Sequence, residues 1–135
     1  MIPYLRCMLI VATTVGLPPR VLPVIQAIEG GSVGMVRPDS NGTADLGVMQ
    51  VNTVWLWPLA ARAGLSLKET RHRMIEDPCF NIAAAALILR SYLVETNGAL
   101  LPAIGDYHSH TPNLKIAYAA LAEQKARQLF SDETP

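Results

Sequence analysis

Apolar residues recur along this chain mainly at helical spacing, and Pro and Gly cut the pattern into short segments. Leu5, Met8, Ala12 and Val15 share one face of a first helix over about residues 3–15, with Gly16 placed to end it. The same stretch has a rival reading. Arg6 followed by CMLIVATTV has the charged and apolar parts of a signal peptide, although no small-x-small cleavage site follows. After the break at Gly16-Leu17-Pro18-Pro19, Val21, Leu22, Val24, Ile25 and Ile28 give a broad apolar face to a helix from Pro19 to Glu29. Pro19 suits its first turn, Pro23 lies early enough to be tolerated, and Gly30 and Gly31 stop it. Residues 30–47 are rich in Gly, Ser, Asn, Asp and Pro, which predicts a long polar loop or small β-hairpin with a tight turn at Asn41-Gly42. Loops of this length in a compact domain are usually functional.

Helical patterning resumes after Thr53, the expected N-cap of a segment that runs to Gly64 and is bent or divided at Pro58. Ser66 and Glu69 have the spacing of a capping box for a short helix ending near Met74. Asp77 or Cys79 opens the strongest helix, CFNIAAAALILRSYLVET, expected to be the buried centre of the fold, and Asn97-Gly98 ends it. Leu100 to Tyr107 forms a short helix, and Pro112 to Phe130 a final one with Leu114, Ala117, Tyr118 and Leu121 on one face. The pattern therefore predicts a mainly α architecture with one long polar insertion between its second and third helices.

Composition narrows the partners. A chain of 135 residues fits one domain, so residues 1–135 are read as a single unit. Hydrophobic residues make up 50% and charged ones 16%, which suits a chain with a core to bury. The 11 Lys and Arg balance 11 Asp and Glu, so the basic footprint of a nucleic-acid binder is missing. The strongly apolar runs Met8 to Ala12 and Ile82 to Leu89 fall short of the roughly 20 residues that cross a bilayer, and no transmembrane segment is expected. Cys7 and Cys79 lack the close spacing of a zinc site, which leaves a disulfide or two inert core residues. No metal or cofactor is expected.

Glu29 is the most informative residue. It closes an apolar helix, and the two glycines after it remove side-chain bulk beside it. Apolar surroundings and the negative end of the helix dipole both disfavour its charge, so its pKa should rise, as a general acid working near neutral pH requires. Taken alone, such a Glu is far more often an ordinary exposed residue in a last helical turn.

The wider pattern is more specific. Glu29, NGTADLGVMQVN over residues 41–52, Trp55, DPCFNIAAAALIL from Asp77 and AIGDYHS over residues 103–109 together resemble the lytic transglycosylase domain, of lysozyme-like fold. More narrowly, they resemble the small specialised transglycosylases that accompany bacterial secretion, conjugation and pilus machines. The resemblance runs from about Cys7 to about Tyr118 and implies an α+β lysozyme-like domain whose polar insertion forms one wall of a glycan cleft.

Carried over position by position, the resemblance makes Glu29 the single catalytic Glu. Gly47, Val48, Met49 and Gln50 match a Gly-Leu-Met-Gln motif in which Gly lets the loop pass close to sugar, Met packs under the cleft and Gln contacts the glycan. Asn52 would cap the next helix or line the cleft. Tyr107 matches the Tyr of a Tyr-Asn-Ala-Gly motif whose hydroxyl faces the catalytic carboxyl group. His108 and Ser109 stand in place of Asn and Ala, and Gly30 follows the Glu where Ser is usual. His108 and Ser32, the latter as substitute for that Ser, join the expected substrate-binding set. Trp55 and Trp57 are core, rim or sugar platforms.

The resemblance also implies that Cys7 pairs with Cys79 of Asp77-Pro78-Cys79, which favours the helix for residues 3–15 and an oxidising compartment, the bacterial periplasm. A signal peptide is then expected but not evident in this chain. The expected substrate is peptidoglycan, cut at the β-1,4 bond between N-acetylmuramic acid and N-acetylglucosamine to leave 1,6-anhydro ends. The expected molecule is a monomer, with components of a secretion or conjugation apparatus as partners. Two alternatives stay open: a hydrolytic muramidase that positions water with Asp39 or Asp45, residues otherwise suited to turn capping, and a catalytically weak glycan-binding assembly module.

Overall fold

The computed structural model describes residues 1–131. Among these residues the order is α1 (Leu5–Val15), α2 (Val21–Glu29), β1 (Val36–Pro38), β2 (Ala44–Leu46), β3 (Val51–Asn52), a 3-10 turn (Thr53–Trp55), α3 (Leu56–Ala63), α4 (Leu67–Glu76), α5 (Pro78–Glu95), α6 (Leu100–His108) and α7 (Pro112–Phe130). The architecture is mainly α with a small antiparallel sheet in the polar insertion, as expected of a lysozyme-like fold.

Helix ends differ from the sequence expectations where a nearby group competes for the backbone. α2 begins at Val21 instead of Pro19, because the Val21 N–H turns back onto the Pro18 carbonyl and the two prolines form a turn. Pro23 is the third residue of α2, where an N–H would have no partner within the helix. Asn52, not Thr53, caps the next segment: its Oδ1 accepts from the Val54 N–H, while the Thr53 hydroxyl oxygen accepts from the Ala44 N–H of β2. The division falls before Pro58, at the 3-10 turn ending with Trp55. Ser66 accepts from the Glu69 N–H, but the Glu69 carboxylate pairs with Arg73 at 2.9 Å, so only half of the capping box forms. α4 continues past Met74 to Glu76. Asp77 then caps α5 by accepting from the N–H groups of Cys79 and Phe80.

α5 is the central helix. It packs against α1, α4 and α6 and buries Asn81, Ile82, Ala84, Ala85, Ala86, Ile88 and Leu89. It is the one described helix long and apolar enough to cross a bilayer, and here it forms the core. On α7 the expected stripe is only partly buried. Tyr118 and Ala122 face the core, whereas Leu114 and Leu121 stay exposed along a hollow beside Glu29.

The polar insertion folds as the hairpin alternative. β1 and β2 are antiparallel with Val36 opposite Leu46, Arg37 opposite Asp45 and Pro38 opposite Ala44, and β2 pairs onward with β3 through Asp45 opposite Asn52. The turn at Asn41-Gly42 forms as expected: Gly42 takes φ +85°, and the Asn41 carboxamide oxygen accepts from the Thr43 N–H. Register places Arg37, Asp45 and Asn52 side by side across the three strands.

Cys7 and Cys79 form a disulfide, with Cα atoms 5.9 Å apart, and pin α1 to the first turn of α5. Residues 5–15 are thus a helix packed on the core through Met8 and Ala12. Because the bridge closes 72 residues of chain, the Cys7→Ser, Cys79→Ser double variant should lose about 4 kcal/mol by the loop-entropy relation, measured by denaturant unfolding.

Candidate active site

Glu29 is the last residue of α2. Gly30 follows in the left-handed region at φ +65° and returns its N–H to the Gln26 carbonyl, so the helix stops at the carboxyl-bearing residue. Gly31 is needed for a different reason. A Cβ there would collide with the carbonyl oxygens of Gly47 and Val48, so only glycine lets the end of α2 lie against the segment that follows β2.

The Glu29 carboxylate accepts a hydrogen bond of 2.6 Å from the Tyr118 hydroxyl. Burial raises its pKa. The Tyr118 hydrogen bond opposes this most, followed by the nearby His108; Asp45 adds to the rise and Arg37 subtracts from it, and the balance stays upward. Tyr118 is itself buried, and burial together with the Glu29 charge pushes its pKa far up, so it remains a donor. His108 stacks face to face on its ring, with centroids 4.8 Å apart and planes within 7°.

Tyr107 differs from expectation. Its hydroxyl donates to the Met49 carbonyl at 3.0 Å, and the phenol that bonds Glu29 comes from α7. Tyr107 still lines the cleft, close enough for the Glu29 charge to add to the strong upward shift that burial causes in its own pKa. It braces α6 against the segment after β2. Tyr118 was legible only as an apolar-face position of α7; a hydroxyl within that stripe was its one distinguishing mark.

That segment, residues 47–50, is held from below by Asn81. The fully buried carboxamide donates to the carbonyls of Leu46 (2.8 Å) and Met74 (2.9 Å) and accepts from the Met49 N–H (2.7 Å). This packing by itself requires glycine at position 47. Gly47 takes φ +68°, and a Cβ there would run into the Met74 carbonyl oxygen and the Asn81 amide. Val48 and Met49 are buried in the core and do not line the cleft; Met49 contributes its backbone carbonyl to Tyr107. Gln50 does line it. Its Nε2 donates to the Gly47 carbonyl, and its buried Oε1 has no hydrogen-bond partner among the described residues.

The cleft, of about 270 Å³, brings together Glu29, Asp39, Asp45, Gln50, Asn52, Trp55, Tyr107 and His108. Among the described residues neither the Asp39 nor the Asp45 carboxylate accepts from a backbone N–H, although Asp39 sits at the hairpin turn and accepts from the Thr43 hydroxyl. Both accept from the Asn52 carboxamide, at 3.1 and 3.0 Å, and Asp45 is raised in pKa by burial and by the neighbouring Asp39 charge, against the opposing Asn52 hydrogen bond. Asn52 therefore both caps the 3-10 turn and lines the cleft. Trp55 forms part of the wall, edge-on to Tyr92, whereas Trp57 is exposed outside it. Ser32 is exposed and is not among the lining residues.

Away from the cleft, Glu95, Asp106 and His110 bring possible metal-ligand atoms within 4.8 Å of one another. The Lys115 ammonium already lies 2.8 Å from the buried Asp106 carboxylate and supplies the cation there, tying α7 to α6.

The family profile of the transglycosylase SLT domain matches residues 9–130. The chain belongs to this family, that of the peptidoglycan lytic transglycosylases, and its substrate is peptidoglycan. A comparison with curated proteins finds no match.

Two substitutions test the site. Tyr118→Phe removes the hydrogen bond that lowers the Glu29 pKa. For a Glu29 that acts as general acid in its protonated form, the alkaline limb of the pH–rate profile should move to higher pH, while stability falls by only about 1 kcal/mol. Asn81→Leu leaves two carbonyls and one N–H without their partner and should cost about 3 kcal/mol or more, read by denaturant unfolding.

Proposed function

We propose that Glu29 alone serves as acid and then base in cutting the β-1,4 bond between N-acetylmuramic acid and N-acetylglucosamine, leaving 1,6-anhydro ends. The observation that carries this reading is a carboxyl group held by the Tyr118 hydroxyl at 2.6 Å on the wall of a polar cleft and kept protonated by burial to higher pH than an ordinary Glu. The Glu29 proton passes to the leaving glycosidic oxygen as the bond to the muramic C1 breaks. The N-acetyl oxygen of the same muramic residue closes on C1 and holds the positive charge, the substrate-assisted route that dispenses with a second carboxylate. Glu29, now a carboxylate, takes the proton of the muramic 6-hydroxyl, whose oxygen displaces the N-acetyl oxygen at C1. Atoms balance without water. The unpartnered Oε1 of Gln50 is an acceptor suited to a glycan hydroxyl or amide.

A hydrolytic reading is favoured by one observation: Asp39 and Asp45 line the cleft with Glu29, and Asp45 acts on the charge of Glu29. A catalytically weak binding module has less support, since binding glycan needs no buried acid held by a phenol. The disulfide and the resemblance to specialised transglycosylases support a periplasmic role in opening the wall locally for a secretion or conjugation apparatus.

Glu29→Gln keeps the shape and loses the proton, so wall-digesting activity should fall by roughly two to four orders of magnitude. Digestion in ¹⁸O-labelled water separates the two reactions: unlabelled products lighter by one water than hydrolytic ones are expected, and heavy oxygen at the reducing ends would make the enzyme a muramidase.

A further inference from the structure

Glu29 and His108 line not only the polar cleft but a second hollow of about 360 Å³. Its other walls are Ile28 of α2, Leu114, Ala117, Tyr118 and Leu121 of α7, and Arg37 of β1. Leu114 and Leu121 are 46% and 42% exposed, an apolar surface left uncovered beside the reacting carboxyl group. Arg37 is the cation of this hollow. Although it stands opposite Asp45 in the sheet, it forms no ion pair among the described residues, and its guanidinium hydrogen-bonds only the Met35 thioether, at 3.6 Å. A guanidinium is built to bind carboxylate with two parallel hydrogen bonds, and a thioether is a poor substitute.

The sugar rings of the glycan are neutral. Their carboxylates sit on the lactyl arm of muramic acid, as the free lactyl group of a stripped strand or within the peptide that arm carries. Methyl groups of the lactyl unit and of alanine suit the leucine and isoleucine walls. We propose that the second hollow seats the lactyl substituent of muramic acid and that Arg37 reads a carboxylate on it, which makes Arg37 a residue of substrate specificity. This rests on the glycan-cutting role proposed for the cleft.

The test uses peptide-bearing strands and amidase-stripped strands, each also with its carboxyl groups converted to amides. Wild-type enzyme should show kcat/KM about tenfold or more higher on the carboxylate form than on the matching amide form, mostly through KM. In Arg37→Gln that ratio should fall to about one, and Arg37→Lys should restore part of it. Taking the ratio within each variant cancels any effect of the lost charge on Glu29. A preference confined to peptide-bearing strands assigns the peptide carboxylate, and one confined to stripped strands assigns the lactyl carboxylate. Equal cleavage of native and amidated strands by wild type, or an unchanged ratio in Arg37→Gln, overturns the Arg37 assignment and leaves the reaction standing. Absence of cleavage on every strand overturns the reaction itself.

Discussion

The carboxamide of Asn81 holds one wall of the cleft to the rest of the molecule. It lies in the central buried helix, where an unsatisfied polar group is costly, and its two N–H groups and its oxygen bond the Met74 carbonyl, seven residues back, and the Leu46 carbonyl and Met49 N–H, more than 30 residues away. Through it the end of α4, the end of β2 and the turn after β2 share one anchor. The tight packing at Gly47 and Gly31 follows, because backbone must lie directly on backbone for that anchor to be reached. Tyr107 completes the clamp from α6 through the Met49 carbonyl.

On this frame, Glu29 is tuned by opposing effects. Burial alone favours the neutral acid, but an unrestrained neutral carboxyl group has no fixed direction. The Tyr118 hydroxyl supplies direction and draws the pKa part of the way back, as the proposed role of acid and then base requires. Tyr118 is placed by α7, and α7 is joined to α6 by the Lys115–Asp106 pair, with the 105 position kept as Gly where a Cβ would meet the Lys115 backbone. His108, stacked on Tyr118, adds a ring contact from α6. The acid therefore depends on two helices that contribute no carboxylate to it.

The small sheet supplies the opposite kind of surface. Its register sets Arg37, Asp45 and Asn52 in a row, so one carboxamide donates to two carboxylates that still act on each other, while the guanidinium at the edge of the hollow forms no ion pair among the described residues. Charges of both signs are held near Glu29 without any of them forming an ion pair with it among the described residues.

Helical periodicity, Pro and Gly punctuation and the Asp77 cap were legible in the chain because each depends on neighbours within a turn or two. So were Glu29 at its helix end, the turn at Asn41-Gly42 and the membership of Gln50 and Asn52 in the polar wall. Contacts between distant segments were not. Two tyrosines, Tyr107 and Tyr118, stand 11 residues apart, and only the crossing of α6 and α7 decides which hydroxyl reaches Glu29 and which reaches Met49. Val48 and Gly47 belong to a motif that touches sugar by resemblance, yet their neighbours are core and Asn81, because the inward side of that turn is set by what packs beneath it. Asp39 and Asp45 read as turn residues from local composition; Asp39 does sit at the hairpin turn, and the folded hairpin brings both carboxylates to Asn52 and into the cleft. The sequence by itself determined the helices, the hairpin and the acid, since local backbone preference and side-chain burial decide those. Tertiary structure decided which groups meet that acid, since hydrogen-bond partners far apart in the chain are chosen by the packing of whole elements.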